Sequence, residues 1–142
     1  MFRGCIHKPA MVQPSDVLFL DDDDDLRATF ADLVRTIFAR ECHGLASHRD
    51  LVALGERALS CGVAILDINL GPAAPSGLES YGWLRKHGFE GRIVFLTGHA
   101  ASHPLVMEAR RLGDAEVVSK PVSLDRLTSM LDGRPYEEQA SP

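Results

Sequence analysis

Basic clusters, long apolar runs and paired cysteine motifs are all missing from this sequence, and each absence excludes a class of protein. The chain has 15 Lys and Arg against 20 Asp and Glu, a net charge of −5. Without a basic cluster, that balance argues against nucleic acid or an acidic membrane surface as the main partner. No apolar run is long enough for a membrane span or a signal peptide. We therefore predict a cytoplasmic protein that binds neither nucleic acid nor membrane.

Cysteine is scarce as well. The three cysteines, Cys5, Cys42 and Cys61, are odd in number and lack CxxC or zinc-finger spacing, so we expect reduced, structural thiols. A length of 142 residues allows one domain with one core. Apolar periodicity is confined to its middle, which predicts an N-terminal extension over 1–15, a folded domain over 16–133 and a flexible C-terminal tail over 134–142.

What the sequence does contain is an alternation of short apolar runs with segments of helical period. Strands are predicted at residues 17–20, 44–47, 63–66, 93–96 and 116–119. Helices are predicted at residues 26–38, 51–59, 78–86, 104–112 and 124–131, with Gly113 ending the fourth and Ser123 capping the last. This alternation is typical of α/β architecture with a parallel sheet.

Polar residues follow four of the five predicted strands. They are Asp21 with Asp22, then Asp67, Thr97 and Lys120. The carboxyl ends of parallel strands share one edge of the sheet, where ligands bind, so we expect these side chains to meet. Carboxylates 4 Å apart repel by about 4 kcal/mol per pair at an effective dielectric near 20. A divalent cation relieves that repulsion, and a few carboxylates plus water suit Mg²⁺.

The same residues predict phosphoryl chemistry. The Lys120 ammonium would lie beside one phosphoryl oxygen as a point charge, and the Thr97 hydroxyl can donate to another. The Asp67 carboxylate is then placed to attack phosphorus while cations neutralise the developing charge. A magnesium-dependent phosphoryl acceptor is therefore predicted.

Four blocks of the sequence, FLDDDDDLR, AILDINLG, VFLTGH and VVSKP, resemble the signature blocks of bacterial response-regulator receivers. They occur in the family's order and near its spacing, over about residues 16–133. The resemblance implies a flavodoxin-like receiver fold, a doubly wound five-stranded parallel sheet flanked by five helices. It also implies a role for each matching residue: Asp22 as a direct Mg²⁺ ligand, Asp21 as a ligand through water, Asp67 as the phosphoacceptor and a further Mg²⁺ ligand, Asn69 as a metal ligand through its backbone carbonyl, Thr97 as the switch hydroxyl and Lys120 as the phosphate contact. The Lys120–Pro121 peptide bond is usually cis in the family.

The function implied by this resemblance is that of a stand-alone response regulator in two-component signal transduction. Such a phosphoprotein receives its phosphoryl group from a sensor histidine kinase or a histidine phosphotransfer protein. It signals to an output protein, unknown here, by contact or by onward phosphorelay, and homodimer formation is left open. The family implies at most weak self-phosphorylation and self-dephosphorylation, so we do not expect an enzyme.

The chain departs from the family pattern in three places. The loop after Asp67 is about two residues longer, and the segment between Thr97 and Gly113 is one residue longer. Val117 stands where the family usually has Tyr or Phe, and a β-branched valine is stiff and too small to relay a signal by ring rotation. We therefore predict that the loop at residues 98–104 is the mobile element.

Two alternative interpretations use some of the same residues. A haloacid-dehalogenase-type phosphatase also uses Asp, Thr or Ser, Lys and Mg²⁺, with an Asp-x-Asp motif on its first strand. Asp21 and Asp23 have that spacing only because the run is all aspartate, and Asp132 lacks the acidic neighbour that such an enzyme needs late in the chain. The second alternative is a degenerate receiver that acts only as a binding module.

Overall fold

Five parallel strands form one sheet at the centre of the protein, in the order β2-β1-β3-β4-β5. The computed structural model describes residues 15–70 and 76–133. The strands are β1 (Val17–Leu20), β2 (Cys42–Leu45), β3 (Val63–Asp67), β4 (Arg92–Thr97) and β5 (Ala115–Ser119). The helices are α1 (Asp24–Phe38), α2 (His48–Leu54), α3 (Glu56–Leu59), α4 (Gly77–Lys86), α5 (Pro104–Arg111) and α6 (Leu124–Asp132). The predicted C-terminal tail, the N-terminal extension up to residue 14 and part of the loop after β3 lie outside the described residues.

The three central strands are buried on both faces, which is why they appear in the sequence as unbroken apolar runs. Leu18 and Leu66 belong to the core on one face of the sheet, and Phe19 and Ile65 belong to the core on the other. Helices therefore cover both faces, and the predicted doubly wound fold is confirmed. Among the described helices, none combines the length and the apolar character that a bilayer span requires.

Local boundaries differ from the prediction where the apolar pattern is weak. The second strand is Cys42–Leu45, two residues earlier than predicted, and only Leu45 in it is buried. The predicted second helix is divided at Gly55, whose φ of 62° is left-handed, so the described part of the chain has six helices instead of five. Helix α5 ends at Arg111 because Leu112 is already extended, so Gly113 does not cap it.

Two local predictions are confirmed. The Ser123 side chain accepts a hydrogen bond from the Arg126 amide at 3.1 Å and so caps α6. The Lys120–Pro121 peptide bond is cis.

One arginine side chain contacts both ends of the described domain. The Arg40 guanidinium donates to the backbone carbonyl of Ser15, just before β1, and to that of Leu131 in α6, the latter at 2.8 Å. This contact lies at the edge of the sheet where β1 begins, opposite the edge where Asp21 follows it.

Candidate functional site

Three predicted site residues meet where β1, β3 and β5 end. Asp21 follows β1, Asp67 is the last residue of β3 and Lys120 follows β5. The Lys120 Nζ lies 3.2 Å from Asp21 Oδ2 and 3.4 Å from Asp67 Oδ2. Both carboxylates are buried, with 1% and 6% exposure of the two residues. One ammonium thus compensates two buried carboxylates at the carboxyl edge of the sheet.

Asp22 adds a third carboxylate to this group. One carboxylate oxygen each from Asp21, Asp22 and Asp67 lies within 4.8 Å of the others. Asp22 is exposed, and within residues 15–70 and 76–133 no hydrogen bond or ion pair is made by its carboxylate. Three carboxylates against one ammonium leave an excess of about two negative charges, and oxygen donors open to water suit Mg²⁺. The residues therefore fit a Mg²⁺ ion in both charge and donor type.

The buried Asp67 carboxylate and the partly exposed Lys120 ammonium shift each other's pKa. Burial and the nearby Asp21 carboxylate raise the pKa of Asp67 to about 6, against the Lys120 ammonium and the Asn69 amide, which lower it. Burial lowers the pKa of Lys120, but the carboxylates of Asp67 and Asp21 outweigh burial, and the net shift is upward. At neutral pH Asp67 is therefore mostly the carboxylate that nucleophilic attack requires.

Thr97, the last residue of β4, is buried beside this group and connects it to the following loop. Its carbonyl accepts a hydrogen bond from the Lys120 amide at 2.8 Å. Its hydroxyl accepts one from the His99 amide at 2.9 Å. A rotation of the Thr97 side chain would therefore disturb the first residues of the loop.

Asn69 makes a second connection to that loop. Its amide donates to Asp67 Oδ1 at 3.4 Å, and its side-chain nitrogen lies 2.9 Å from His99 Nε2. The His99 ring stacks on His103, with ring centres 4.2 Å apart, and His103 Nδ1 accepts from the Leu105 amide at the start of α5. The predicted mobile loop is thus joined to the residues that follow β3 at one end and to the start of α5 at the other.

Val117 leaves space where the family has an aromatic ring. It is partly buried and lines a groove of about 430 Å³ that also borders Arg110 and Arg126, on α5 and α6. The way in which a signal leaves the site stays a prediction.

Sequence reasoning missed two residues at this site. Arg27 NH1 donates to the Asp21 carbonyl at 2.7 Å. Gly77 begins α4 so close to β3 that an added Cβ would clash with the Asp67 carbonyl oxygen. Glycine in the predicted loop–helix junction was a usable signal for close backbone approach. Only the three-residue spacing of Asp24 and Arg27 hinted at an ion pair, and nothing in the sequence indicated the contact with Asp21.

The phosphatase alternative needs Asp23 as a second acid beside Asp21, but Asp23 has another position in this structure. The Asp23 carboxylate accepts a hydrogen bond from the Leu26 amide at 3.0 Å and caps α1. Asp23 is also outside the group formed by Asp21, Asp22 and Asp67. It has the helix-terminal position expected of a surface acid.

Comparison with known proteins agrees with this geometry. The family model described as "Response regulator receiver domain" matches residues 17–132. The fold is similar to the chemotaxis protein CheY4 of Vibrio cholerae, with a TM-score of 0.70 and 23% identity over 84% of this chain and 98% of that one. It is also similar to the receiver domain of a putative LuxO repressor protein from Vibrio parahaemolyticus, with a TM-score of 0.69 and 23% identity over 86% of this chain and 89% of that one. No curated protein matches the sequence.

Proposed function

Since the chain belongs to the response regulator receiver family, we propose that it accepts a phosphoryl group on Asp67 with the help of Mg²⁺. The observation that carries this proposal is the placement of the Lys120 ammonium within 3.4 Å of Asp67, beside a third, uncompensated carboxylate on Asp22. A purely structural ion pair would not need that third acid.

The proposed reaction is displacement at phosphorus. An Asp67 carboxylate oxygen forms the new P–O bond while the P–N bond of a donor phosphohistidine breaks, and the electron pair returns to the imidazole nitrogen. Lys120 holds positive charge beside the phosphoryl oxygens, and the Thr97 hydroxyl donates a hydrogen bond to one of them. The carboxylates of Asp21, Asp22 and Asp67 and the Asn69 carbonyl would hold Mg²⁺, which when bound supplies further positive charge to the phosphoryl oxygens.

The donor in this proposal is a sensor histidine kinase or a histidine phosphotransfer protein, and the setting is cytoplasmic. Output through protein contact or onward phosphotransfer also belongs to the proposal. That the regulator acts alone, and that it is not an enzyme beyond weak self-phosphorylation and self-dephosphorylation, stay predictions.

Labelling of the acceptor tests the proposal. We expect acetyl phosphate to label the wild-type chain once and beryllofluoride to bind it in the presence of Mg²⁺, whereas Asp67→Asn folds but does neither. Asp23→Asn is the matched control, because asparagine caps a helix as well as aspartate and the acceptor is untouched. Full labelling of Asp67→Asn would refute the assignment.

The same pair of variants separates the alternatives. Repeated turnover of p-nitrophenyl phosphate that disappears in Asp23→Asn would indicate the phosphatase. Failure of the wild-type chain to bind either phosphate or beryllofluoride would indicate a degenerate receiver that acts as a binding module.

A further inference from the structure

Arg27, in the second turn of α1, reaches back to the loop that carries both Asp21 and Asp22. Its NH1 donates to the Asp21 carbonyl at 2.7 Å, and its NH2 pairs with the Asp24 carboxylate. Its aliphatic part lies over β2, because a Cβ added to Gly44 would be 3.5 Å from Arg27 Cδ. The side chain is 19% exposed. Arg27 is therefore held in place by packing, and its guanidinium faces the acidic loop.

The hydrogen bond to Asp21 falls on the peptide unit that joins the two acids. A peptide unit is planar, so fixing its carbonyl also fixes the direction of the N–H and Cα that begin Asp22. Asp21 is restrained at three other points: its amide donates to the Leu45 carbonyl at 3.0 Å, and its carboxylate accepts from the Asp23 amide and from Lys120. The Asp22 carboxylate has no such restraint within the described ranges. The orientation of Asp22 thus depends on the peptide unit that Arg27 holds.

We propose that Arg27 is a positioning residue for Mg²⁺ binding, which it favours by holding the Asp21–Asp22 peptide unit so that the Asp22 carboxylate faces Asp67. This inference rests on the proposed function, since it concerns the ion that function requires. Arg27 contacts a backbone carbonyl and Asp24, not the carboxylates that would bind the ion.

The sign of one measurement distinguishes positioning from simple electrostatics. A guanidinium close to the site repels a dication, so if charge were its only effect, removing it would strengthen Mg²⁺ binding. If Arg27 positions Asp22, removing it weakens Mg²⁺ binding. A lost hydrogen bond from a charged group corresponds to roughly a tenfold change. The two explanations therefore predict opposite directions for the same substitution.

The experiment is a MgCl₂ titration of the full chain, followed by amide chemical shifts. Arg27→Met keeps the apolar stem and removes the guanidinium, and we expect a Kd roughly tenfold higher than that of wild type. Arg35→Met is the matched control, because Arg35 lies on the same helix and its ion pairs within the described residues, with Asp32 and Glu41 at 3.5 and 3.6 Å, are exposed. Its Kd should equal the wild-type value.

The outcomes are decisive in each case. An Arg27→Met Kd equal to or below the wild-type value overturns the inference, as does equal weakening in Arg35→Met. If Arg27→Met does not fold, Arg27→Leu, which also removes the guanidinium and its hydrogen bond, is judged by the same criterion. A wild-type chain that binds no Mg²⁺ would instead overturn the proposed function, and the inference with it.

Discussion

Replacement of Asp22 by alanine should change stability in opposite directions with and without Mg²⁺. Without the ion, Asp22 is a third carboxylate within 4.8 Å of Asp21 and Asp67. Asp22 is exposed, so a water-like dielectric applies, and each pair then repels by about 0.9 kcal/mol. Attraction to Lys120 offsets part of the sum. We expect Asp22→Ala to raise the free energy of unfolding by about 1 kcal/mol and Tm by about 4 °C.

With saturating Mg²⁺ the same substitution removes a proposed ligand of the ion. Stabilisation by a bound ion grows with the logarithm of its concentration over Kd, so a tenfold weaker site loses about 1.4 kcal/mol of it. The Mg²⁺-induced rise in Tm should therefore be smaller in Asp22→Ala than in wild type.

Thermal melts at constant ionic strength, with MgCl₂ or with EDTA, measure both effects. Asp25→Ala is the matched control from the same acidic run. It removes an exposed acid from the first turn of α1, which should cost about 0.5 kcal/mol and leave the Mg²⁺ shift intact. A wild-type-sized Mg²⁺ shift in Asp22→Ala, or a fall in its Tm without Mg²⁺, would refute the reasoning.

Three further predictions concern the loop, the ends and the thiols. Beryllofluoride with Mg²⁺ should bias a two-state equilibrium, so that amide shifts outside the pocket change most at residues 98–104 and less at 117–131, because Thr97 and Asn69 both contact the loop. A chain trimmed to residues 15–133 should fold and bind beryllofluoride as the full chain does. Burial raises the pKa of the Cys42 and Cys61 thiols to about 12, so at pH 8 neither should react with a disulfide reagent until the protein is unfolded. Because the folded pKa of each thiol lies above the unfolded value, their contribution to stability is complete below pH 9 and is lost as pH rises toward 12.

Each of these expectations has a contrary result. Large changes in amide chemical shift at residues 117–131, with little change at residues 98–104, would indicate that the signal passes through β5. A trimmed chain that cannot bind beryllofluoride would make one of the removed segments structural. Rapid modification of Cys42 or Cys61 in the native protein would show that these thiols are accessible as thiolates.

The sequence was sufficient wherever a buried strand ended in a polar residue. The runs before Asp21 and Asp67 are apolar because both faces of those strands are covered. A parallel sheet then brings their ends to one edge together with the end of β5, so the presence of Lys120 at the same edge follows from topology. The roles assigned to these residues stay predictions until the acceptor is labelled.

The structure could not be predicted from the sequence where the backbone conformation depends on one residue, or where a side chain contacts a residue far away in the sequence. Strand β2 has a single buried residue, Leu45. Its sequence therefore lacks the apolar pattern from which its first and last residues could be predicted. The helix break depends on the left-handed backbone of Gly55. Glycine can adopt this conformation, but its presence in a sequence does not show that it does so. The contact between Asn69 and His99 joins residues thirty positions apart and depends on side-chain direction.

The arginine that joins Ser15 to Leu131 has a consequence for how this domain can be combined with other proteins. Entry and exit of the folded unit lie side by side, at the edge of the sheet remote from Asp67. A unit whose ends are adjacent can be inserted into a surface loop of a host protein without spreading that loop. Such an insertion would leave the carboxyl edge of the sheet open to solvent. The predicted acceptor, Asp67, would then lie at the edge of the domain that faces away from the point of insertion.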